Sequence, residues 1–388
     1  MRKFFLGVVI VVLIFLFTEL CGWVGLKVME KRYYCNGGRL EQTILTSKID
    51  KIDYLRGILK GDKNYTTKYT AAYTLNYIPT PDFKTDSRQH NEHGYRGELI
   101  QCKKNDAYRI LFLGGSTTYG SMVKSPAETY PAQTRLILLD SIENDSWLQQ
   151  KFRTIEIINA GMESALSCDE LNLYLYKFRY YKPDLVVIHS GGNDAQVSWK
   201  DNAYVPDYTH CRNPQMFQIK PTPFPKWLMN SYFISFLTIS LYYPLDGGSF
   251  EITSANVEPI YAQSWYPEEY KLSIEKGNYE FYPFYVNFNI LTDLILKDGA
   301  KVVVIPFALN LNTPYPLDKT YVQNVRLNNA VMQQVTTENK MNWVNYQYTM
   351  IDSAYWVDEC HLLARGEKLK ALIVAKEIFS ILKSQAIK

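Results

Sequence analysis

Histidine is scarce in this chain: five, at positions 90, 93, 189, 210 and 361, are spread over 388 residues. The six cysteines, at 21, 35, 102, 168, 211 and 360, contain no CxxC pair and no Cys/His ligand spacing, so the sequence supports no zinc site. Charge of one sign is scarce as well. With 42 basic residues against 39 acidic ones, the formal charge of +3 gives no broad electrostatic reason to expect a nucleic acid partner. Internal repeats and low-complexity tracts are absent. A Walker lysine and a GxGxxG pattern are also missing, which removes nucleotide binding as the use of a Gly-rich turn.

One long hydrophobic run stands at the amino terminus. After Arg2 and Lys3, Phe4 to Phe17 is apolar, and the stretch continues through Thr18 and Glu19 to Leu26. That is long enough to cross the hydrocarbon of a bilayer, which takes about 20 residues. No small-x-small cleavage site follows, and Thr18-Glu19-Leu20 lacks the small residue that a lipoprotein site places before its cysteine. Residues 1–26 therefore read as an uncleaved single-pass anchor with the body outside the cytoplasm. A cleaved signal peptide with secretion is the alternative. Arg2 and Lys3 set that orientation, against which Lys27, Lys31 and Arg32 count on the far side. Beyond Cys21, an exported body has cysteines enough for two disulfides and a free thiol, and their pairing stays open.

Residues 27–105 are polar and tyrosine-rich, a membrane-proximal extension. Their one notable cluster is the turn His90-Asn91-Glu92-His93-Gly94-Tyr95-Arg96-Gly97. Turn chemistry explains its glycines, and a place at the rim of a site is the alternative use.

The body, residues 106–388, is organised around RILFLGGSTTYG at Arg109 to Gly120. Arg109 to Leu113 is a short apolar run, as expected of an inner strand of a parallel sheet. Gly114 and Gly115 turn the backbone sharply, and Ser116 falls where a helix can begin. An N-cap or anion-binding turn accounts for that serine as readily as catalysis does. TIEIIN at Thr154 to Asn159 predicts a second strand ending in Ala160-Gly161, and Asp184 to Ile188 a third that ends in His189-Ser190-Gly191-Gly192-Asn193-Asp194. A helix over about Asp169 to Tyr181 completes a βαβ crossover. Regular alternation is lost over about 198–276, an insertion in which Trp227 to Tyr243 reads as a buried or lid helix rather than a second span. The tyrosines of Tyr261 to Tyr285 suit packing and amphipathic surface cover, with a sugar-binding face as the alternative. A helix to Lys297, confined by Pro283, then strands at Lys301 to Ile305 and Asn342 to Tyr346, and a helix from Ala364 or Gly366 to about Ser384 complete a doubly wound α/β layer sandwich.

Between the last strand and the last helix stands Asp358-Glu359-Cys360-His361. A carboxylate three residues before an imidazole can hold one ring nitrogen in a tight loop while the other faces the sheet edge. A serine hydroxyl needs such a base, and the base needs a third group to fix its tautomer. Ser116, His361 and Asp358 supply those roles. The N–H groups of Ser116 and Gly161 and the Asn193 amide can donate to a developing oxyanion. Taken alone, the DxxH spacing also suits a surface loop histidine.

The order of these blocks resembles the SGNH hydrolase superfamily of GDSL-type esterases and acyltransferases. Ser116 in GGSTTYG looks like the first block, Gly161 in NAG the second, Asn193 in GGND the third, and Asp358 with His361 in DECH the last. Gly115 departs from the aspartate of the GDSL signature, giving a GGST variant. His93 to Gly97 resembles the NxxGxRG-type stretch that precedes the serine in some anchored members.

The resemblance implies a flavodoxin-like sheet and acyl transfer through an acyl-serine, with no cofactor and no metal. Water as acceptor makes an ester hydrolase, and a sugar hydroxyl makes an O-acetyltransferase. An anchored, exported body is similar to members acting on O-acyl groups of cell-surface glycans, so the expected partners are an acyl-ester substrate and the membrane. Oligomeric state is left open. From a different class, a catalytically silent, membrane-tethered glycan-binding or scaffold protein would keep the fold alone.

Overall fold

The computed structural model describes residues 2–35, 56–57, 59–61, 69–70, 77–84, 89–100, 102–103, 106–197, 208, 224–242, 276–313 and 317–386. Most of the 198–276 insertion, the loop Leu245 to Ser249 and most of the Tyr261 to Tyr285 cluster lie outside them, as does His210. The chain forms two compact units. One comprises residues 1–71, 83–87 and 213–256, the other residues 72–82, 88–212 and 257–388.

In the first unit, helix α1 (Arg2–Cys35) is long and apolar enough to cross a membrane, with a mean hydropathy of 2.8 in its most apolar window. The length and the Leu-, Val-, Ile- and Phe-rich composition match the expected anchor, although helical structure runs past Leu26 to Cys35. The apolar run at Trp227 breaks into a 3-10 turn (Lys226–Asn230) and an α-helix (Tyr232–Tyr242), both in this unit.

The second unit is built on β1 (Ala107–Gly114), α2 (Ser116–Tyr119), α3 (Tyr130–Glu143), β2 (Thr154–Asn159), α4 (Ser167–Tyr176), β3 (Leu185–His189) and α5 (Gly192–Val197). With the first unit's Tyr232–Tyr242 helix numbered α6, there follow α7 (Pro283–Lys297), β4 (Lys301–Val304), α8 (Lys319–Glu338), β5 (Asn342–Trp343) and α9 (Ala364–Ala386). In the five-stranded sheet the strand pairs are parallel, in the order β2-β1-β3-β4-β5. This is the flavodoxin-like doubly wound order, with its switch point between β1 and β3.

Every residue of β1 and of β3 is buried, which is why both read as unbroken apolar runs rather than alternating ones. Tyr108, Ile110 and Phe112 of β1 point to the face covered by α3 and α9, where Leu138, Ile142, Val374, Ile378 and Leu382 complete the core. Leu111, Leu113, Val186 and Ile188 alternate to the other face, on the side of α4, α7 and α8. β2, β3 and β4 fall within a residue of expectation, β1 begins two residues earlier at Ala107, and in the last strand only Asn342 and Trp343 pair. Thr129 caps α3 and Asp318 caps α8, while Pro283 takes the first position of α7, where its missing N–H costs nothing. Helix α8 was not anticipated from the sequence. Cys21, Cys102, Cys168 and Cys360 are free thiols.

Candidate active site

The switch point places the carboxyl ends of β1 and β3 side by side. β1 runs into Gly114-Gly115, and Ser116 is the first residue of α2, so its N–H is one of the helix's initial donors without an intrahelical acceptor. Across the crevice, α5 brings Asn193. A Cβ added at Gly115 would lie 2.6 Å from Asn193 Nδ2, so glycine at this position is what admits the amide beside the serine. Gly161 is similarly constrained, since a side chain there would meet the backbone N of Tyr119 at 2.2 Å. The turn after β2 is thereby packed against the back of the serine helix.

His361 lies in the loop before α9. Trp356 and Leu362 form an isolated antiparallel bridge, and Val357 N–H donates to the His361 carbonyl at 2.8 Å, closing a tight turn. Inside it, Asp358 Oδ1 accepts from the backbone N–H of Cys360 (2.9 Å) and of His361 (2.7 Å). The same carboxylate meets His361 Nδ1 at 2.8 and 3.0 Å. His361 Nε2 faces Ser116 Oγ at 2.7 Å. The structure thus brings Ser116, His361 and Asp358 into one hydrogen-bonded line.

The electrostatics follow from that packing. Burial by itself would raise the Asp358 carboxyl, but the hydrogen bond and charge of His361 and the two loop N–H groups hold it down at about 2. Burial acts on His361 in the opposite sense. The Cys360 sulfur, 3.4 Å from Nδ1, and the Asp358 carboxylate outweigh it, and the imidazole is raised above its ordinary value. Burial pushes the Cys360 thiol up. Asp358, Cys360 and His361 bring three ligand-type atoms within 4.8 Å of one another. Two atoms each about 2.0 to 2.2 Å from one zinc ion at a tetrahedral angle would stand over 3 Å apart. The 2.8 Å contact between Asp358 and His361 is that of a hydrogen bond, and Asp358 is fixed in place by the loop backbone.

The expected oxyanion donors are arranged less uniformly. Asn193 Nδ2 donates to the Ala165 carbonyl at 2.8 Å, which uses one of its two hydrogens. Gly161 N–H donates to the side-chain oxygen of Asn159 at 3.0 Å. The neighbouring Asp194 is fully buried and accepts from Ser167 Oγ and Tyr208 Oη, both at 2.6 Å, which ties down the loop carrying Asn193. Burial raises its carboxyl, against the pull of those bonds.

Several further residues support these groups. Arg96 is buried and donates to the carbonyls of Tyr119 (3.1 Å), Gly120 (2.6 Å) and Val123 (2.8 Å), gripping the end of the serine helix, while His90 Nε2 lies 2.8 Å from Tyr119 Oη. The His90 to Gly97 turn therefore packs behind Ser116 through these two side chains. On α8, Asn328 donates to the Gly191 carbonyl (2.8 Å) and Asn324 to that of Ala195 (3.2 Å), bracketing Asn193. Beneath Ser116, Lys370 Nζ donates to His189 Nδ1 at 2.9 Å and lies 4.0 Å from the centre of the Tyr130 ring. Thr117 Oγ1 is 3.2 Å from the same His189 nitrogen, and Glu367 accepts from Tyr130 N–H at 2.7 Å. The only signal for these partners was the NxxGxRG-type stretch and the four-residue spacing of Asn324 and Asn328.

No family model and no curated protein matches this chain. Among solved structures, it is similar to a putative acylhydrolase from Bacteroides fragilis, with 16% identity and a TM-score of 0.40 over 74% of this chain and 92% of the other. It is also similar to a GDSL-like lipase from Bacteroides thetaiotaomicron (15%, TM-score 0.38, 74% and 93% covered). A catalytic mutant of an acetylxylan esterase from Geobacillus stearothermophilus stands at 15% identity and a TM-score of 0.40, with 70% and 94% covered. Likenesses this distant assign no role to any residue.

Proposed function

We propose that the chain is a serine-dependent acyl-ester hydrolase working through an acyl-serine intermediate. The observation that carries this reading is the line Ser116 Oγ, His361 Nε2, His361 Nδ1, Asp358, with contacts of 2.7 and 2.8 Å. A serine hydroxyl is a weak nucleophile until a base takes its proton as the bond to carbon forms. In this reading Ser116 Oγ attacks the ester carbonyl and its proton passes to His361 Nε2. Asp358, ionised at neutral pH, holds Nδ1–H and stabilises the imidazolium. The Ser116 N–H and the Asn193 amide hydrogen not given to Ala165 stabilise the negative oxygen of the tetrahedral intermediate, and the Gly161 N–H, bonded to Asn159, joins them only by leaving that acceptor. Its collapse expels the alcohol, which takes the proton from His361, and leaves an acyl-Ser116. Water then repeats the sequence, with His361 again as base, and releases the acid.

The substrate class we infer is an O-acyl, in the first place O-acetyl, group on a cell-surface glycan. It is supported by the block order of the SGNH superfamily together with α1 as an anchor that holds the body outside the cytoplasm. The test is hydrolysis of p-nitrophenyl acetate and of acetylated oligosaccharides by the full chain in detergent, beside Ser116→Ala. Turnover lost in Ser116→Ala is expected. Equal turnover in the two proteins would overturn the serine mechanism. Acetyl transfer to an added sugar in preference to water would make the protein an O-acetyltransferase using the same acyl-serine.

A further inference from the structure

Helix α1 does not stand alone in its unit: it is one half of a helix pair. The Glu19 carboxylate accepts from Tyr232 N–H at 2.7 Å and from Ser231 Oγ, and so caps the amino terminus of α6. One turn further along, a Cβ at Gly22 would fall 2.3 Å from the backbone N of Phe233, and one at Gly25 would fall 2.6 Å from the Phe236 ring. Ser240 Oγ then reaches Met29 Sδ at 3.5 Å. Partners advance together from 19 with 232 to 29 with 240, so the two helices run parallel. Small residues on α1 set their close approach, the device by which helices associate in lipid.

The register fixes depth. If the apolar stretch starting at Phe4 fills a bilayer, about 20 residues at about 1.5 Å each bring the distal edge of the hydrocarbon near Trp23. Glu19 and Gly22 then lie inside that edge, Lys27 and Met29 outside it. The 3-10 turn Lys226–Asn230, joined to the start of α6, therefore sits at the level of Glu19. Its surface suits that depth: Trp227 is 70% exposed, Phe224 is exposed beside it, and Trp23 of α1 is exposed at a similar height. Paired tryptophans at one level are what a membrane interface selects. Arg56 and Glu19, two charged groups that would oppose burial in lipid, are paired within the unit, and the exposed Lys226 has a stem long enough to carry its ammonium toward the headgroups. Arg56 donates to Ser235 Oγ (3.0 Å) and to the Asn230 carbonyl (2.6 Å), with its guanidinium 3.7 Å from the Tyr232 ring centre. Glu19, costly in a membrane segment if alone, is consumed as the cap of α6.

The geometry points to a second membrane contact: the turn at Trp227 and the first turns of α6 are seated in the distal leaflet of the bilayer that α1 crosses, with lipid as the occupant of their exposed apolar face. This rests on the reading of α1 as a retained span. It also gives α1 a packing role that a removable leader would lack.

The test is photo-cross-linking of the full chain in phosphatidylcholine vesicles, with benzoylphenylalanine placed singly at Phe15, Trp227 or Leu241, and lipid adducts read by mass spectrometry. Positions 227 and 241 are 70% and 72% exposed, so replacement there leaves the packing intact. Strong adducts at 15 and 227 and at least several-fold fewer at 241 are expected. Adducts at 15 without any at 227 would overturn the second contact while leaving the span. No adduct at 15 would overturn the span itself, and with it this proposal. More labelling at 241 than at 227 would reverse the depth order and overturn the parallel seating.

Discussion

Ser116 Oγ and His361 Nε2 stand 2.7 Å apart although 245 residues separate them in the chain. The base is therefore positioned by the fold, and its proton affinity by the loop around it. A raised His361 remains protonated, and unable to accept the serine proton, until the pH climbs through its own value. The acid limb of kcat/KM for p-nitrophenyl acetate is thus expected above the ordinary histidine value of about 6.5, with activity lost as pH falls through it. Asp358→Asn removes one of the two groups, with the Cys360 sulfur, that raise the imidazole. It should move this limb to lower pH and reduce kcat on the order of 10⁴-fold. An unmoved limb would separate Asp358 from the titration of His361.

Arg96 tests the support of the serine helix without touching substrate. Its guanidinium satisfies three buried carbonyls at once, which a lysine's single ammonium cannot reproduce. Charge-assisted hydrogen bonds contribute about 1.5 to 3 kcal/mol each, so Arg96→Ala is expected to lower stability by about 3 kcal/mol or more. Arg96→Lys should retain more of the fold and still lose kcat at nearly constant KM, because the one-turn helix that begins at Ser116 is no longer held at its carboxyl end. Melting curves with steady-state kinetics on both variants check this, and a fall in KM-controlled binding alone would argue against positioning.

The parts of this fold visible in the sequence are those that depend on local pattern. β1, β2 and β3 are apolar runs closed by Gly or Asn, and Asp358 with His361 are partners three residues apart, so short windows carry their signal. Helix α8 escaped because Asn324, Asn328 and Asn329, which have low helical propensity, lie in its middle. In the fold each is used: Asn324 and Asn328 hold the loop around Asn193, and Asn329 bonds both the N–H and the carbonyl of Phe307 (2.8 and 2.9 Å). Lys370 was equally opaque. Its partner His189 is 181 residues away, and nothing in the spacing of a carboxyl-terminal amphipathic helix marks one lysine as buried. The pairing of Glu19 with α6 depends on a contact across more than 200 residues.

Lys370 and Glu367, both fully buried, oppose each other's burial penalty. Burial lowers the lysine, to about 7, and raises the glutamate, also to about 7, while each one's charge favours the charge of the other. Removing one member leaves the other uncompensated. Lys370→Met is therefore expected to cost about 3 to 5 kcal/mol. Adding Glu367→Gln should return a large part of it, since an apolar or neutral pair avoids the desolvation of both ions. Urea unfolding of the two single variants and the double variant measures the coupling. Additive losses would mean that the two charges do not sense each other.

The oxyanion donors give the most selective test of the chemistry, because the negative oxygen exists only as the tetrahedral intermediate forms. A donor held in place beforehand then stabilises the transition state and not the bound ester, so its loss should fall on kcat. In the proposed mechanism Asn193 carries a structural bond and a chemical one on the same amide. One hydrogen goes to Ala165 at 2.8 Å, and the amide stands against Gly115, beside Ser116. Asn193→Ala removes both functions, so stability and turnover are measured on the same protein. The surrounding loop is also held by Asn328, Asn324 and Asp194, which limits the expected structural loss to about 1 kcal/mol, the size of one net hydrogen bond. Loss of an oxyanion donor lowers turnover by roughly 100- to 1000-fold, or about 2.7 to 4 kcal/mol. Near-wild-type melting with a kcat reduced to that extent and little change in KM is the expected result. Near-normal kcat with an unchanged melt would remove Asn193 from the reaction and leave the backbone N–H of Ser116 as the donor to test next.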